Sequence, residues 1–99
     1  MVKLMVAYGQ PEDPAAFDQH YAETHIPLVQ KMPNLRRFEA GKVLGMADGL
    51  PAPYYFIAEL WFDTLEALQA ARQSPEGQAA AVDVGTFSSG GFTLMIAEA

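Results

Sequence analysis

Nine consecutive residues, Tyr54-Tyr55-Phe56-Ile57-Ala58-Glu59-Leu60-Trp61-Phe62, are apolar but for one carboxylate, and aromatic side chains dominate them. Such a run favours an extended strand over a helix. Successive side chains of a strand point to opposite faces, so Tyr54, Phe56, Leu60 and Phe62 share one side while Tyr55, Ile57 and Trp61 share the other. Both sides are apolar, which places the strand at or near the middle of a sheet that needs cover on both faces.

The other strands follow from the same alternation. Val2 to Tyr8 is a short apolar run closed by the turn formers Gly9-Gln10-Pro11-Glu12-Asp13-Pro14. From Leu35 to Leu44, Phe38 and Ala40 alternate with Arg37 and Glu39, and Gly45 to Pro53 is a loop. Phe92 to Ala97 forms a last strand, again apolar on both sides. Between the first two strands Asp13 sits at an N-cap and Pro14 at the first helical position, where its missing N–H costs nothing. Phe17, Tyr21, His25, Leu28 and Met32 then recur at spacings of three and four, a buried helical stripe, with Pro27 predicting a kink or early stop near His25. Asp63 and Glu66 fit a capping box for a second helix with Leu65, Leu68 and Ala71 inward, and Ser74-Pro75 restarts a short helical piece that Gly85 punctuates.

The order β-α-β-β-α-β is the split arrangement of ferredoxin-like α+β folds: a four-stranded antiparallel sheet with two helices on one face. Residues 1–99 make one such domain. Two helices leave the second face bare, and an exposed apolar patch of roughly several hundred Å² is rare on a monomer. A homodimer packed sheet to sheet is therefore expected.

Charge and composition exclude several functions. Twelve carboxylates against six Lys and Arg give a net charge of −6, which repels nucleic acid and anionic membranes. Without cysteine there is neither a thiol nucleophile nor a thiolate metal site. His20 and His25 are five apart, not a metal-binding pair, and no metal or cofactor is expected. No stretch reads as a membrane span or signal peptide, so the expected compartment is the cytoplasm.

Tyr21 and His25 put two polar tips on an otherwise apolar stripe. Buried tips need partners, which a ligand pocket supplies and which a carbonyl freed by Pro27 also supplies for the imidazole. His20, off the stripe, reads as a solvated surface residue. Glu59 is either a paired acid or a dimer-face residue, with pairing favoured by the cost of burying a lone charge. Asp83 is placed to cap a helix or to bond across to the first helix. Tyr8, Phe17, Leu28, Tyr55, Trp61 and Asp83 are the candidate ligand-binding residues, His25 and Tyr21 the candidate catalytic ones.

Phe17-Asp18-Gln19-His20-Tyr21 followed by His25-Ile26-Pro27-Leu28, then Ala58-Glu59-Leu60-Trp61-Phe62 and Ser74-Pro75-Glu76-Gly77, resemble the EthD family along the whole chain. The resemblance implies the dimeric α/β-barrel superfamily and carries the family's His-x-Pro histidine onto His25 and its preceding aromatic position onto Tyr21. The family is named for bacterial degradation of ethyl tert-butyl ether. Related folds include cofactor-independent monooxygenases, lactone isomerases, cyclases and haem-degrading enzymes, among which fold alone does not choose. Three functions stand open: a cofactor-free oxygenase or isomerase with His25 as proton acceptor, a non-catalytic binding or accessory protein for a small hydrophobic molecule, and, last, haem binding through His25.

Overall fold

The computed structural model describes residues 1–99. The strands are β1 (Val2–Gly9), β2 (Arg37–Lys42), β3 (Tyr54–Phe62) and β4 (Phe92–Glu98). They form one sheet in the order β2-β3-β1-β4, antiparallel throughout. The aromatic run is thus an inner strand, flanked by β1 and β2, as its two apolar faces require. Leu4, Val6 and Tyr8 of β1 join Phe56, Ala58, Leu60 and Phe62 of β3 in the buried face beneath the helices.

The helices are α1 (Pro14–His20), a π-helical turn (Tyr21–His25), α2 (Ile26–Gln30), α3 (Leu65–Gln73) and α4 (Pro75–Phe87). As anticipated, Asp13 caps α1, its carboxylate accepting the Ala16 amide at 3.1 Å. The early stop expected near His25 does not occur, since the helix continues past Pro27 to Gln30. The rod widens into the π-turn instead, and the Ile26 amide reaches back five residues to the Tyr21 carbonyl. Pro27 has no N–H to give and its ring crowds the carbonyl four residues back; a wider turn absorbs both defects.

This local change moves the buried face. The inward residues are Phe17, Tyr21, His25 and Val29, spaced by four, and Leu28 is only half-buried against the core. In pure α geometry a strict four-residue repeat drifts about 40° per step; the π-turn takes up that drift and hands the inward position after His25 to Val29.

Two further expectations shift. Asp63 does not cap α3, because its carboxylate accepts two bonds from the Arg36 guanidinium; Thr64 caps instead, its hydroxyl accepting the Ala67 amide at 3.1 Å. α4 is no short piece. It runs thirteen residues, through Gly85 to Phe87. The helix penalty of a glycine, about 1 kcal/mol, is outweighed by burying Ala80 and Val84 and packing Phe87.

α3 and α4 meet at Ser74. Its hydroxyl donates to the Ala71 carbonyl at 2.6 Å and accepts the Gly77 amide at 3.0 Å, closing one helix and capping the next. The backbones touch here: a Cβ on Gly77 would lie 2.0 Å from the Ala71 carbonyl oxygen. That contact accounts physically for the Ser-Pro-Glu-Gly segment.

The far edge stays bare. Phe92, Leu94 and Ile96 of β4 are each 41–46% exposed on the helix side, since the helices lie over β1 and β3, and Met95 is 44% exposed on the other face. On the face away from the helices Glu59 is paired with Lys3 at 2.9 Å, and Trp61 lies between Lys3 and Arg37.

Because Gly77 meets backbone that cannot yield, Gly77→Ala should cost about 2 kcal/mol or more by overpacking, and Ser74→Ala about 1 kcal/mol by loss of a cap. Urea denaturation of both variants checks this order.

Candidate functional site

The π-turn and α4 together build the site. His25, 3% exposed, donates its Nδ1–H to Asp83 Oδ2 at 2.9 Å. The other carboxylate oxygen, Oδ1, accepts from His20 Nε2 at 2.8 Å and from the Thr86 hydroxyl at 3.2 Å. One carboxylate of α4 therefore ties down two imidazoles of the first helical rod. His20 is not the free surface residue expected from its place off the stripe. Residues five apart sit about 140° apart around an α-helix, and the π-turn between them closes that angle so that both rings reach Asp83.

With Nδ1 committed as a donor to Asp83, the neutral ring carries its lone pair on Nε2. His25 also lines a cavity of about 190 Å³ between the helices and the sheet. An apolar hollow of roughly 150 Å³ already admits benzene. Tyr8 and Tyr21 line it as well, both at most 2% exposed; their hydroxyls lie close enough to act on each other's ionisation but neither makes a well-directed hydrogen bond. The remaining wall is apolar apart from Arg72, and Phe92 and Leu94 of the bare edge strand complete it.

Of the residues read from sequence, the cavity brings together His25, Tyr21 and Tyr8, with Asp83 behind His25. Phe17 lies in the aromatic core, stacked with Tyr21, and faces an outer hollow beside His20. Leu28 packs outside the cavity, where Val29 and Met32 line it. Tyr55 is also outside. A register irregularity at Tyr8/Gly9 accompanies its turn toward α1, where its hydroxyl donates to Asp18 Oδ1 at 2.7 Å and Lys42 holds the other oxygen. Trp61 is on the opposite sheet face. Phe87, which the sequence reading passed over, touches the rings of His20, His25, Tyr8, Phe17 and Tyr21 at centroid distances of 4.9–5.8 Å. Its signal was the helical spacing Ala80, Val84, Phe87, hidden by the assumption that Gly85 ended the helix.

An EthD domain matches residues 9–91. This chain belongs to the EthD family. A curated relative, an uncharacterized 11.0 kDa protein from the thcB-thcC intergenic region of Rhodococcus erythropolis, is 45% identical over 98 residues, covering 99% of this chain and 94% of its own. The crystal structure of an EthD family protein from Bacillus halodurans is 41% identical with a TM-score of 0.94, covering 100% of this chain and 98% of its own. Two more distant structures share the fold alone. One is a dimeric ferredoxin-like protein of unknown function from Thermobifida fusca (TM-score 0.72, 16% identity, 96% and 87% coverage). The other is SnoaB, a cofactor-independent oxygenase from Streptomyces nogalater (TM-score 0.69, 17% identity, 99% and 91% coverage).

Electrostatics in this EthD-family site follow from burial and from Asp83. Burial lowers the His25 pKa below its ordinary 6.5, an effect that the Asp83 carboxylate reduces but does not cancel. Burial alone would raise Asp83, yet its bonds from His20 and His25 outweigh it and hold the carboxyl below the ordinary 3.8. Tyr8 and Tyr21 are pushed up strongly by burial and stay protonated donors at neutral pH.

Both depressed groups act on stability with the same sign. Above 6.5 His25 is neutral folded and unfolded, so nothing is lost; as pH falls further the unfolded chain takes up the proton first and the fold weakens. Asp83 adds a second loss below 3.8. Thermal melts should therefore hold steady above neutrality and decline as the pH falls below 6.5, with His25→Phe flattening that slope. A midpoint that rises as the pH falls would refute the assignment.

Proposed function

We propose that this chain is a cofactor-independent acid–base catalyst acting on a small hydrophobic carbonyl compound. The observation that carries this reading is the meeting at one apolar cavity of His25, whose Nδ1 is bonded to Asp83, with Tyr8 and Tyr21, two tyrosines whose buried hydroxyls lack a hydrogen-bond partner. Such a cavity is a default site for a small organic ligand. A neutral imidazole with a free lone pair is a base, and two protonated phenols are donors for a developing oxyanion.

In the proposed step Nε2 takes the proton from the carbon next to the carbonyl. The C–H electron pair moves into the carbon framework and onto the carbonyl oxygen, giving an enolate that the phenols stabilise. The imidazolium keeps its Nδ1–H on Asp83, which offsets the new positive charge. Returning the proton from Nε2 to a different carbon completes an isomerisation. With dioxygen as co-substrate and a second hydrogen on that carbon, the carbanion instead forms a C–O bond, the Nε2 proton passes to the outer oxygen to give a hydroperoxide, and loss of water leaves a new carbonyl. This is the oxygenase outcome, the activity named for the distant structure SnoaB.

The protein also acts, on this reading, as a homodimer. The sheet face away from the helices carries Met5, Ile57, Trp61 and Met95 with no element covering it, and β4 is exposed on both sides. Structures sharing the fold are described as dimeric. Sedimentation at micromolar protein should give twice the mass of one chain, and a monomer would remove this part of the proposal.

For the chemistry, the probe is phenylacetone in deuterium oxide, its benzylic protons followed by NMR. The wild type should accelerate exchange over buffer, His25→Gln should lose roughly 10²–10⁴-fold of that rate, and Tyr21→Phe roughly 10²-fold. Saturable binding of the probe with exchange no faster than in buffer would make the protein a ligand carrier rather than an enzyme.

A further inference from the structure

We infer that the cavity takes a small apolar acid, its carboxylate meeting Arg72 at the mouth while its apolar body lies against Val6, Val84 and Leu94; this rests on the reading above that the cavity is a ligand site.

Of the six Lys and Arg, four are held by carboxylates: Lys3 by Glu59, Arg36 by Asp63, Arg37 by Glu39 and Lys42 by Asp18. Lys31 and Arg72 are not. Lys31 is exposed at the end of α2 and lines no hollow of the site. Arg72, in the last turn of α3, is the arginine without an anion, and it is the one that lines the cavity. A cation suits the negative end of a helix, but that does not explain why it goes unpaired in a chain with twelve carboxylates.

The rest of the lining agrees. No Asp or Glu lines the cavity, and thirteen of its sixteen residues are hydrophobic. An overall charge of −6 repels anions at long range, so an anionic ligand has to be held by a local cation. Arg72 is exposed even though it borders the hollow, which is how an arginine sits when its stem follows an apolar wall and its head stays at the opening. The guanidinium fork matches a carboxylate with two parallel bonds. Tyr8, Tyr21 and His25 line the same cavity, so a ligand held by its acid on Arg72 shares the hollow with the base.

The test compares two one-ring probes of nearly equal size, 4-methylbenzoate and 4-methylbenzamide, titrated into the intact protein at neutral pH. Amide resonances of Val84 and Leu94 report binding. The benzoate should bind about tenfold tighter than the amide, as a charge-assisted pair predicts. Arg72→Gln should abolish that preference while leaving the benzamide affinity unchanged, Arg72→Lys should keep part of it, and added salt should reduce it. Equal affinity for the two probes, or a preference that survives Arg72→Gln, would overturn the acid assignment and leave the cavity as a ligand site. Loss of both probes in Arg72→Gln would give the arginine a packing role and also overturn it. Failure of both probes to shift any cavity resonance would remove the ligand site itself, and this inference with it.

Discussion

Asp83 is the joint on which the site depends. Its two oxygens accept from His25 and His20, and through those bonds α4 is fastened to the first helical rod across the aromatic cluster of Phe87, Phe17 and Tyr21. An unpaired carboxylate at this depth would be costly; two imidazole donors make it tolerable and keep it charged. The same bonds fix the His25 tautomer. Nδ1 serves structure, and Nε2 is left free beside the cavity.

The π-turn makes that joint possible. An ordinary helix would swing His20 away from His25 and rotate Val29 off the core line; one wider turn brings both histidines to one carboxylate and keeps Phe17, Tyr21, His25 and Val29 inward. Pro27 is its chemical cause. A residue that breaks helices elsewhere here sets the geometry of a site two residues upstream.

Much of the fold could be read from the residues because strand alternation and capping are local. The β3 boundaries, the Asp13 cap with Pro14, and the β-α-β-β-α-β order all follow from neighbours in sequence. The pairing of Glu59 with a base was legible too, since a carboxylate in an apolar strand has few alternatives. What escaped depends on longer reach. The Asp63–Arg36 pair, which displaces the cap to Thr64, joins residues 27 apart, and the Asp83–His20 bond joins residues 63 apart. Leu28 was placed inward and Val29 not, because helical counting assumes 3.6 residues per turn and the π-turn breaks that count. Tyr55 and Trp61 were assigned to a pocket on aromatic character alone, which says nothing of the face a side chain takes.

The cavity combines an apolar wall, two phenols without partners and an imidazole nitrogen held open from behind. Polar atoms of this kind cost stability in the unliganded protein, a cost expected where a ligand supplies the missing bonds. The central claim is that His25 presents a bare Nε2 to that space. Nitrogen-15 NMR of the histidine rings above neutral pH tests it most directly: the account predicts a proton on Nδ1 of His25 and none on Nε2. An Nε2–H tautomer, or a ring still cationic at that pH, would contradict it.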